Sequence, residues 1–273
     1  MSREPFPPER RRVALVTGAA RGIGAATVTT LASRGYRVVA VDSCAGETDL
    51  PAGVDYALAT HQELEDLSAT YPERVITQVA DVRDKAALAA AVDLAFEQFG
   101  GLDAVVAAAA VIAGGAPLWE TPDPVVRSLW EVDVMGVWNT AAACIPRMLA
   151  GADPSQARFV AVASAAGTNG LFHLSAYNAA KHAVVGLVRG LAADLTGTGA
   201  TAVAVSPGST RTAMLQATAR LYRLDDVEQF ASAQLLGRIL EPAEVAATIA
   251  HCCSADAAAL NGSVVHVDGG FRT

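Results

Sequence analysis

Short apolar runs alternate with longer amphipathic stretches along most of the chain. The runs predict strands at residues 13–16, 36–41, 75–80, 102–108, 158–163, 200–205 and 264–267. Helices are predicted between them, from the first glycine-rich turn to Gly35 and at 84–99, 124–150 (with a disturbance at Pro146) and 175–195. Strands that alternate with helices predict an α/β fold, a doubly wound parallel sheet (Rossmann fold) with helices on both faces.

Three segments fall outside this alternation. Residues 1–12 are polar and contain three prolines, which predicts a disordered N-terminal arm before a single domain at 13–273. Residues 43–72 include an apolar–polar pattern at 58–69 that predicts an extra helix. Residues 209–240 follow a strand at the edge where ligands of such sheets bind, and a long segment there predicts a lid.

Composition narrows the classes of function. The chain has 273 residues, 52% of them hydrophobic, and a net charge of −8 without a basic stripe, which argues against nucleic-acid binding. No apolar run is long enough to span a membrane. The four cysteines show no metal-ligand spacing, and the sequence shows no secretion signal. We therefore expect buried thiols, no metal and a cytoplasmic location. We expect Trp119, Trp130 and Trp138 in the core or at a subunit interface.

The first strand leads into a glycine-rich turn that is typical of dinucleotide binding. Its candidate cofactor-binding residues are Gly18, Arg21, Gly22, Ile23 and Gly24. Glycines let the backbone approach a pyrophosphate, whose charge the following helix N-terminus favours. Asp42 ends the second strand, where its carboxylate is placed to bind a ribose diol and to repel a 2′-phosphate, which favours NAD over NADP. Arg21 supports NADP, because a basic residue in the turn could pair with that phosphate.

A second group of residues carries the chemistry of proton transfer. Tyr177 and Lys181, one of only two lysines, lie one helical turn apart, so the phenol and the ammonium share a face. A nearby positive charge favours the ionised phenol. With the hydroxyl of Ser164, thirteen residues before the tyrosine, the pair predicts acid–base chemistry on an alcohol or a carbonyl group.

Together these motifs resemble the short-chain dehydrogenase/reductase family over nearly the whole chain. The matching elements are the glycine-rich turn, Asp81-Val82, Ser164, Tyr177 with Lys181, Pro207-Gly208 and the terminal Asp268-Gly269-Gly270. The resemblance implies that Tyr177 is the acid–base, that Ser164 binds the substrate oxygen, and that Lys181 lowers the pKa of Tyr177 and holds the nicotinamide ribose. It also implies a homotetramer. Besides Tyr177 and Lys181, the further cofactor-binding residues that it implies are Asp81, Val82, Ala109, Pro207, Gly208, Thr210, Thr212 and Met214.

Two positions depart from the pattern of the family. The family usually has Asn-Asn-Ala-Gly after the fourth strand, whereas residues 107–110 are all alanine, so we expect this loop to be supported differently. The family usually has an asparagine on the next helix that relays protons to the lysine, and Asp133 occupies that place. Near Lys181 an aspartate could accept a hydrogen bond and pair with its charge, but it could donate only if protonated. Asp133 is therefore a further candidate catalytic residue.

Other features resemble one subgroup, the mycofactocin-associated dehydrogenases of actinobacteria. These features are the alanines after the fourth strand, the extended region after Asp42 with residues 56–60, and the stretches 171–174 and 261–266. This resemblance implies tightly held, non-exchanging NAD, with electrons passed to mycofactocin, a peptide-derived redox carrier.

Three functions compete on these residues. The favoured one is an NAD-dependent oxidoreductase acting on a small-molecule alcohol or ketone. The alternatives are an NADP-linked carbonyl reductase with freely exchanging cofactor, and a non-catalytic dinucleotide sensor on the same fold. Because such sensors commonly lose the tyrosine or the lysine, the intact Ser164, Tyr177 and Lys181 argue against the sensor.

Overall fold

The computed structural model describes residues 11–272. Within this range seven parallel strands form one sheet in the order β3-β2-β1-β4-β5-β6-β7. The strand order reverses between β1 and β4, which confirms the predicted doubly wound fold and opens a crevice at their carboxyl ends. The strands are β1 (Val13–Thr17), β2 (Arg37–Asp42), β3 (Val75–Val79), β4 (Ala104–Ala107), β5 (Arg158–Val162), β6 (Thr201–Pro207) and β7 (Val264–Val267).

Helices cover both faces of the sheet. Alternate residues of a strand point to opposite faces, so each inner strand contributes to two cores. On β1, Val13 and Leu15 pack with the third, fifth and sixth helices, and Ala14 and Val16 pack with the first and eighth. The α-helices of the described range are α1 (Gly22–Ser33), α2 (His61–Thr70), α3 (Lys85–Phe99), α4 (Asp123–Leu129), α5 (Gly136–Leu149), α6 (Ser175–Asp194), α7 (Ala213–Leu221) and α8 (Pro242–Cys252).

Local capping explains why two of these helices begin where they do. Asp84 accepts hydrogen bonds from Ala86 N at 2.8 Å and Ala87 N at 3.1 Å and so starts α3. Helix α8 was missed by the sequence analysis. It begins with a capping box between Glu241 and Glu244 and a proline at its first position, which is a signal readable in the sequence.

The predicted long helical stretch over residues 124–150 forms, as α4, then a π-helical turn at Trp130–Met135, then α5. The expected disturbance at Pro146 is wrong, because Pro146 lies inside the last turn of α5 and Pro146 O still accepts from Ala150 N at 3.1 Å. The irregularity lies earlier, and it holds Asp133 within the protein interior.

Two long segments approach the carboxyl edge of the sheet. Residues 43–60, called the strap below, precede α2, which Thr60 caps and which forms close to the predicted position. Residues 209–240, called the lid segment below, contain α7 and a 3₁₀ turn at Val227–Ala233. Both segments supply side chains to the cavity at this edge.

Three expectations concern the ends and the surface of the protein. Residues 1–10 of the predicted arm lie outside the described residues, and Arg12, which is described, donates to Gln156 O at 2.7 Å. The side chains of Trp119, Trp130 and Trp138 are 80%, 48% and 57% exposed, so they do not lie in the core, and the alternative of a subunit interface stays a prediction. Among the described residues, no helix has the length and apolar character to cross a membrane.

Candidate active site

The glycine-rich turn joins β1 to α1 at the point where the strand order reverses. Gly18 and Gly22 have φ angles of 65° and 58°, in the region that favours glycine. A Cβ on Gly24 would lie 1.8 Å from Gly18 O, so the turn excludes any larger residue there. No side chain caps α1 among the described residues, which leaves its first N–H groups suited to an anion.

Thr17 supports the alanine-rich loop after β4. Its Oγ1 accepts hydrogen bonds from Ala108 N at 3.2 Å and from Ala109 N at 3.4 Å. A Cβ on Gly18 would lie 2.7 Å from Ala109 Cα, so the turn and the loop pack backbone against backbone. The hydroxyl of a neighbouring strand thus takes over loop support that the alanine side chains cannot give.

Asp42 joins the glycine-rich turn to the start of the strap. Its Oδ2 accepts from Ala20 N at 3.0 Å and its Oδ1 accepts from Cys44 N at 3.2 Å. Arg21, at the other side of the turn, donates to Ala57 O of the strap. The guanidinium is therefore engaged with the strap, whereas Asp42 brings a negative charge to this end of the cavity.

Asp81 is held by a residue that the sequence analysis did not single out. Arg83 donates to both carboxylate oxygens, from Nε at 3.0 Å to Oδ1 and from Nη2 at 2.6 Å to Oδ2. Partial burial acts to raise the pKa of Asp81, but the hydrogen bonds and charge of Arg83 outweigh it and the pKa is lowered. Asp81 is therefore an ionised, fixed side chain beside Val82 at the cavity wall.

Helix α6 and the end of β5 bring together the three residues predicted for proton transfer. Tyr177 and Lys181 are both buried on one face of α6, with Lys181 Nζ 5.6 Å from the centre of the Tyr177 ring. Lys181 Nζ donates to Val162 O at 3.3 Å. The Tyr177 hydroxyl lies 3.9 Å from the Met214 sulfur, and Ser164 stands at the cavity wall beside Val162.

Asp133 lies behind this group and does not line the cavity. It is fully buried, and its Oδ1 accepts from Val111 N at 2.9 Å. Its Oδ2 is 3.5 Å from Lys181 Nζ, an ion-pair distance, but the geometry of this contact is not that of a hydrogen bond. Burial raises the pKa of Asp133, and the charge of Lys181 opposes that rise.

The phenol of Tyr177 has a raised pKa. Burial is the largest cause, the negative charge of Asp133 adds to it, and the interaction with Ser164 acts in the opposite direction. The physical reason is that desolvation disfavours the phenolate and the carboxylate of Asp133 disfavours it further. The lowering effect of Lys181 that the resemblance implies stays a prediction.

One continuous cavity of about 410 Å³ connects the glycine-rich turn with Tyr177. Ser164 and all sixteen residues predicted to bind the cofactor line it. Aromatic and aliphatic residues that were not predicted individually also line it. They include Tyr56, Leu171, Leu174, Tyr222, Phe230 and Phe271.

Comparison with known proteins decides the family. Residues 18–272 match a family model described as enoyl-(acyl carrier protein) reductase. A relative named short-chain type dehydrogenase/reductase, from Mycolicibacterium smegmatis, is 36% identical over 219 residues, which is 78% of this chain and 77% of that protein. This chain belongs to the short-chain dehydrogenase/reductase family.

Other members of the short-chain dehydrogenase/reductase family are similar over almost the full length. The (−)-trans-carveol dehydrogenase of Rhodococcus erythropolis is 33% identical, with 95% of this chain and 96% of that protein covered. The crystal structure of carveol dehydrogenase from Mycobacterium avium in complex with NAD matches with a TM-score of 0.87 and 30% identity. That match covers 95% of this chain and 96% of the other.

The wall around Tyr177 in this short-chain dehydrogenase/reductase is apolar. Tyr177 shares a hydrophobic cluster with Ile112, Leu174, Met214 and Tyr222, which all line the cavity. The charged residues that line the cavity within 11–272 are Arg21, Asp42, Asp49, Asp81, Arg83 and Lys181. Asp42 ends β2, and four others follow β1, β2 or β3. The sixth, Lys181, lies on α6 and contacts Val162 of β5. No group of three or more His, Cys, Asp or Glu side chains in the described range is arranged to hold a metal ion.

Proposed function

We propose that this protein is an NAD-dependent dehydrogenase that interconverts an alcohol and its carbonyl compound. The observation that carries the proposal is the cavity itself, which has the glycine-rich turn and Asp42 at one end and Tyr177 with Ser164 at the other. NAD would supply the hydride acceptor when bound. Tyr177 would take the hydroxyl proton, Ser164 would bind the substrate oxygen, and Lys181 would hold the nicotinamide ribose.

The residues at the turn fit a dinucleotide. Tight glycines and uncapped N–H groups suit a pyrophosphate, and the nearby Asp42 carboxylate suits a ribose diol. Because Arg21 already donates to Ala57 O, it is less available to a 2′-phosphate than the sequence alone suggests. These contacts support NAD and weigh against the NADP-linked alternative.

Asp42→Ala should weaken NAD binding about tenfold or more, since a hydrogen bond to a charged group contributes roughly 1.5–3 kcal/mol. The variant should also raise NADP use relative to NAD, because the repulsion of a 2′-phosphate is removed. Nucleotide is first removed from the protein, and binding of both dinucleotides is then measured by titration. Loosening of the turn alone would weaken both cofactors equally, so the ratio is the decisive readout.

A neighbouring acid provides the matched control for this experiment. Asp49 is exposed at the same end of the cavity and has the same charge, so Asp49→Ala should leave the ratio of NADP to NAD affinity unchanged. A preference of the unmodified protein for NADP would show that Arg21, and not Asp42, decides cofactor choice.

We further propose that NAD is held without free exchange and is reoxidised in place by a mycofactocin-type carrier. The strap and the lid segment support this proposal, because both line the cavity. Asp55 of the strap lies 3.9 Å from Arg220 of α7. Tyr56 accepts from Ile112 N at 3.2 Å, and Tyr222 of the lid segment donates to Phe172 O at 2.8 Å. A bound dinucleotide would leave only after these contacts open.

The apolar wall around Tyr177 supports an uncharged substrate. A substrate carboxylate placed there would lose its hydration without gaining a cationic partner other than Lys181, which Asp133 already pairs. Cyclohexanol should therefore be oxidised with kcat/KM about 10–100-fold higher than 4-hydroxycyclohexanecarboxylate, since an unpaired buried group costs ~1–3 kcal/mol. Steady-state rates with both alcohols measure this, and equal rates would contradict the proposed substrate preference.

We propose a cytoplasmic homotetramer in which exposed apolar side chains are covered by neighbouring subunits. The half-exposed Trp130 and Trp138, on the π-helical turn and on α5, support association through this part of the protein.

A further inference from the structure

Asp133 is a buried acid that faces a hydrogen-bond donor on one side and a positive charge on the other. On one side Val111 N donates to Oδ1 at 2.9 Å, and on the other Lys181 Nζ approaches Oδ2 at 3.5 Å. An asparagine has one acceptor oxygen and one donor NH₂ group. Whichever way its amide turned, a donor would face either the Val111 amide or the Lys181 ammonium. The site is therefore matched to a carboxylate and mismatched to an amide.

We propose that Asp133 is an anionic positioning residue that pairs with Lys181, cancels part of its charge, and so confines alcohol oxidation to a higher pH than an amide at this place would. This inference rests on the proposed dehydrogenase function, and it assigns a role to a residue outside the cavity lining. Asp133 acts through Lys181 and Tyr177, since it does not itself line the cavity.

The charged and polar groups that face Tyr177 come from several elements. From α6 comes the ammonium of Lys181, from the π-helical turn the carboxylate of Asp133, and from the strap the neutral phenol of Tyr56. The lid segment contributes the uncharged Met214, and the end of β5 contributes the hydroxyl of Ser164. With Asp133 ionised, the ammonium and the carboxylate leave no net charge beside the phenol.

Removal of the carboxylate changes this balance in a definite direction. Asp133→Asn leaves one uncompensated positive charge near Tyr177, and an opposite charge favours the phenolate. The pKa of Tyr177, which Asp133 helps to raise, should fall in the variant. Oxidation should therefore reach its plateau at lower pH in the variant than in the unmodified protein.

The test compares pH profiles of kcat/KM for oxidation of one alcohol, with an artificial electron acceptor present. In Asp133→Asn the pH of half-maximal kcat/KM should fall by about one unit or more, the size of effect expected from one nearby charge. Asp93→Asn is the matched control, because it makes the same charge change at an exposed residue of α3 that pairs with Arg147. Its profile should not move.

A second measurement does not depend on turnover. In protein labelled with [¹³C]tyrosine, the Tyr177 signal can be assigned by its absence from Tyr177→Phe and followed as the pH is raised. It should titrate at lower pH in Asp133→Asn than in the unmodified protein. Asp133→Ser also removes the charge, and it should shift the signal in the same direction.

Two results would overturn the role of Asp133. One is an unmoved profile and Tyr177 titration in folded variants, which would mean that Asp133 is already uncharged. The other is a fall in kcat/KM by the same factor at every pH, which would mean a purely structural role. Either result, in an enzyme that still oxidises alcohols, leaves the proposed dehydrogenase function standing, whereas an unmodified protein without dehydrogenase activity contradicts that function first.

Discussion

Tyr177→Phe should lower kcat/KM for alcohol oxidation by about 10²–10⁴-fold, the usual contribution of one acid–base group. The variant loses only the hydroxyl, and its ring can still pack with Leu174 and Met214 in the same hydrophobic cluster. The glycine-rich turn is untouched, so binding of the dinucleotide should stay largely intact. Turnover with an artificial acceptor and the fluorescence of bound NADH measure the two effects separately.

The pH dependence gives this prediction a second, independent readout. Because the pKa of Tyr177 is raised, the base form is scarce at neutral pH, and oxidation by the unmodified protein should increase as the pH rises. The activity should be lost as the pH falls below that pKa. In Tyr177→Phe this rise should be absent. Tyr71→Phe, at the end of α2 and outside the cavity, is the matched control, and near-normal activity of Tyr177→Phe would remove Tyr177 from the mechanism.

The second large effect concerns the cofactor. If the strap and the lid segment enclose NAD, purified protein should carry a dinucleotide through gel filtration. Free NAD should then give little steady-state oxidation of an alcohol, and an artificial electron acceptor should restore turnover, because the reduced nucleotide is reoxidised without leaving. Absorbance of the released nucleotide and rates with and without the acceptor measure both points.

Arg21 offers a variant that loosens the enclosure. Arg21→Ala removes the hydrogen bond to Ala57 O of the strap, and release of the nucleotide should become about tenfold faster or more, since such a bond contributes roughly 1.5–3 kcal/mol. Arg189→Ala, on the exposed face of α6, removes an equal charge and should leave release unchanged. Many turnovers with free NAD alone, from protein that purifies empty, would instead indicate an ordinary exchanging dehydrogenase.

Periodicity and a few special residues were enough to predict most of the fold. Each of the seven predicted strands forms, and α3 spans the residues between its cap at Asp84 and Gly100, whose φ is 79°. Such elements are predictable because their signals are local. The clustering of Ser164, Tyr177 and Lys181 was also predictable, since α6 fixes two of them and the carboxyl end of β5 brings the third to the same edge.

Features decided by contacts between distant segments could not be predicted. No local signal marks the π-helical turn that buries Asp133 beside Lys181, a residue 48 positions further along the chain. The hydrogen bond from Arg21 to Ala57 O depends on the path of the strap, which the sequence left open. The net rise of the Tyr177 pKa could not be predicted, because it depends on the extent of burial, which a motif does not specify.

Asp42 couples the order of two loops to the choice between NAD and NADP. Its two carboxylate oxygens each accept a backbone N–H, from Ala20 in the turn and from Cys44 in the strap. A descendant that lost this acid would lose order in both loops at the moment it became able to use a phosphorylated cofactor. A switch to NADP must therefore begin with a new hydrogen-bond acceptor for those two amides, before Asp42 is replaced. A single substitution at Asp42 is for this reason a poor evolutionary route to NADP use.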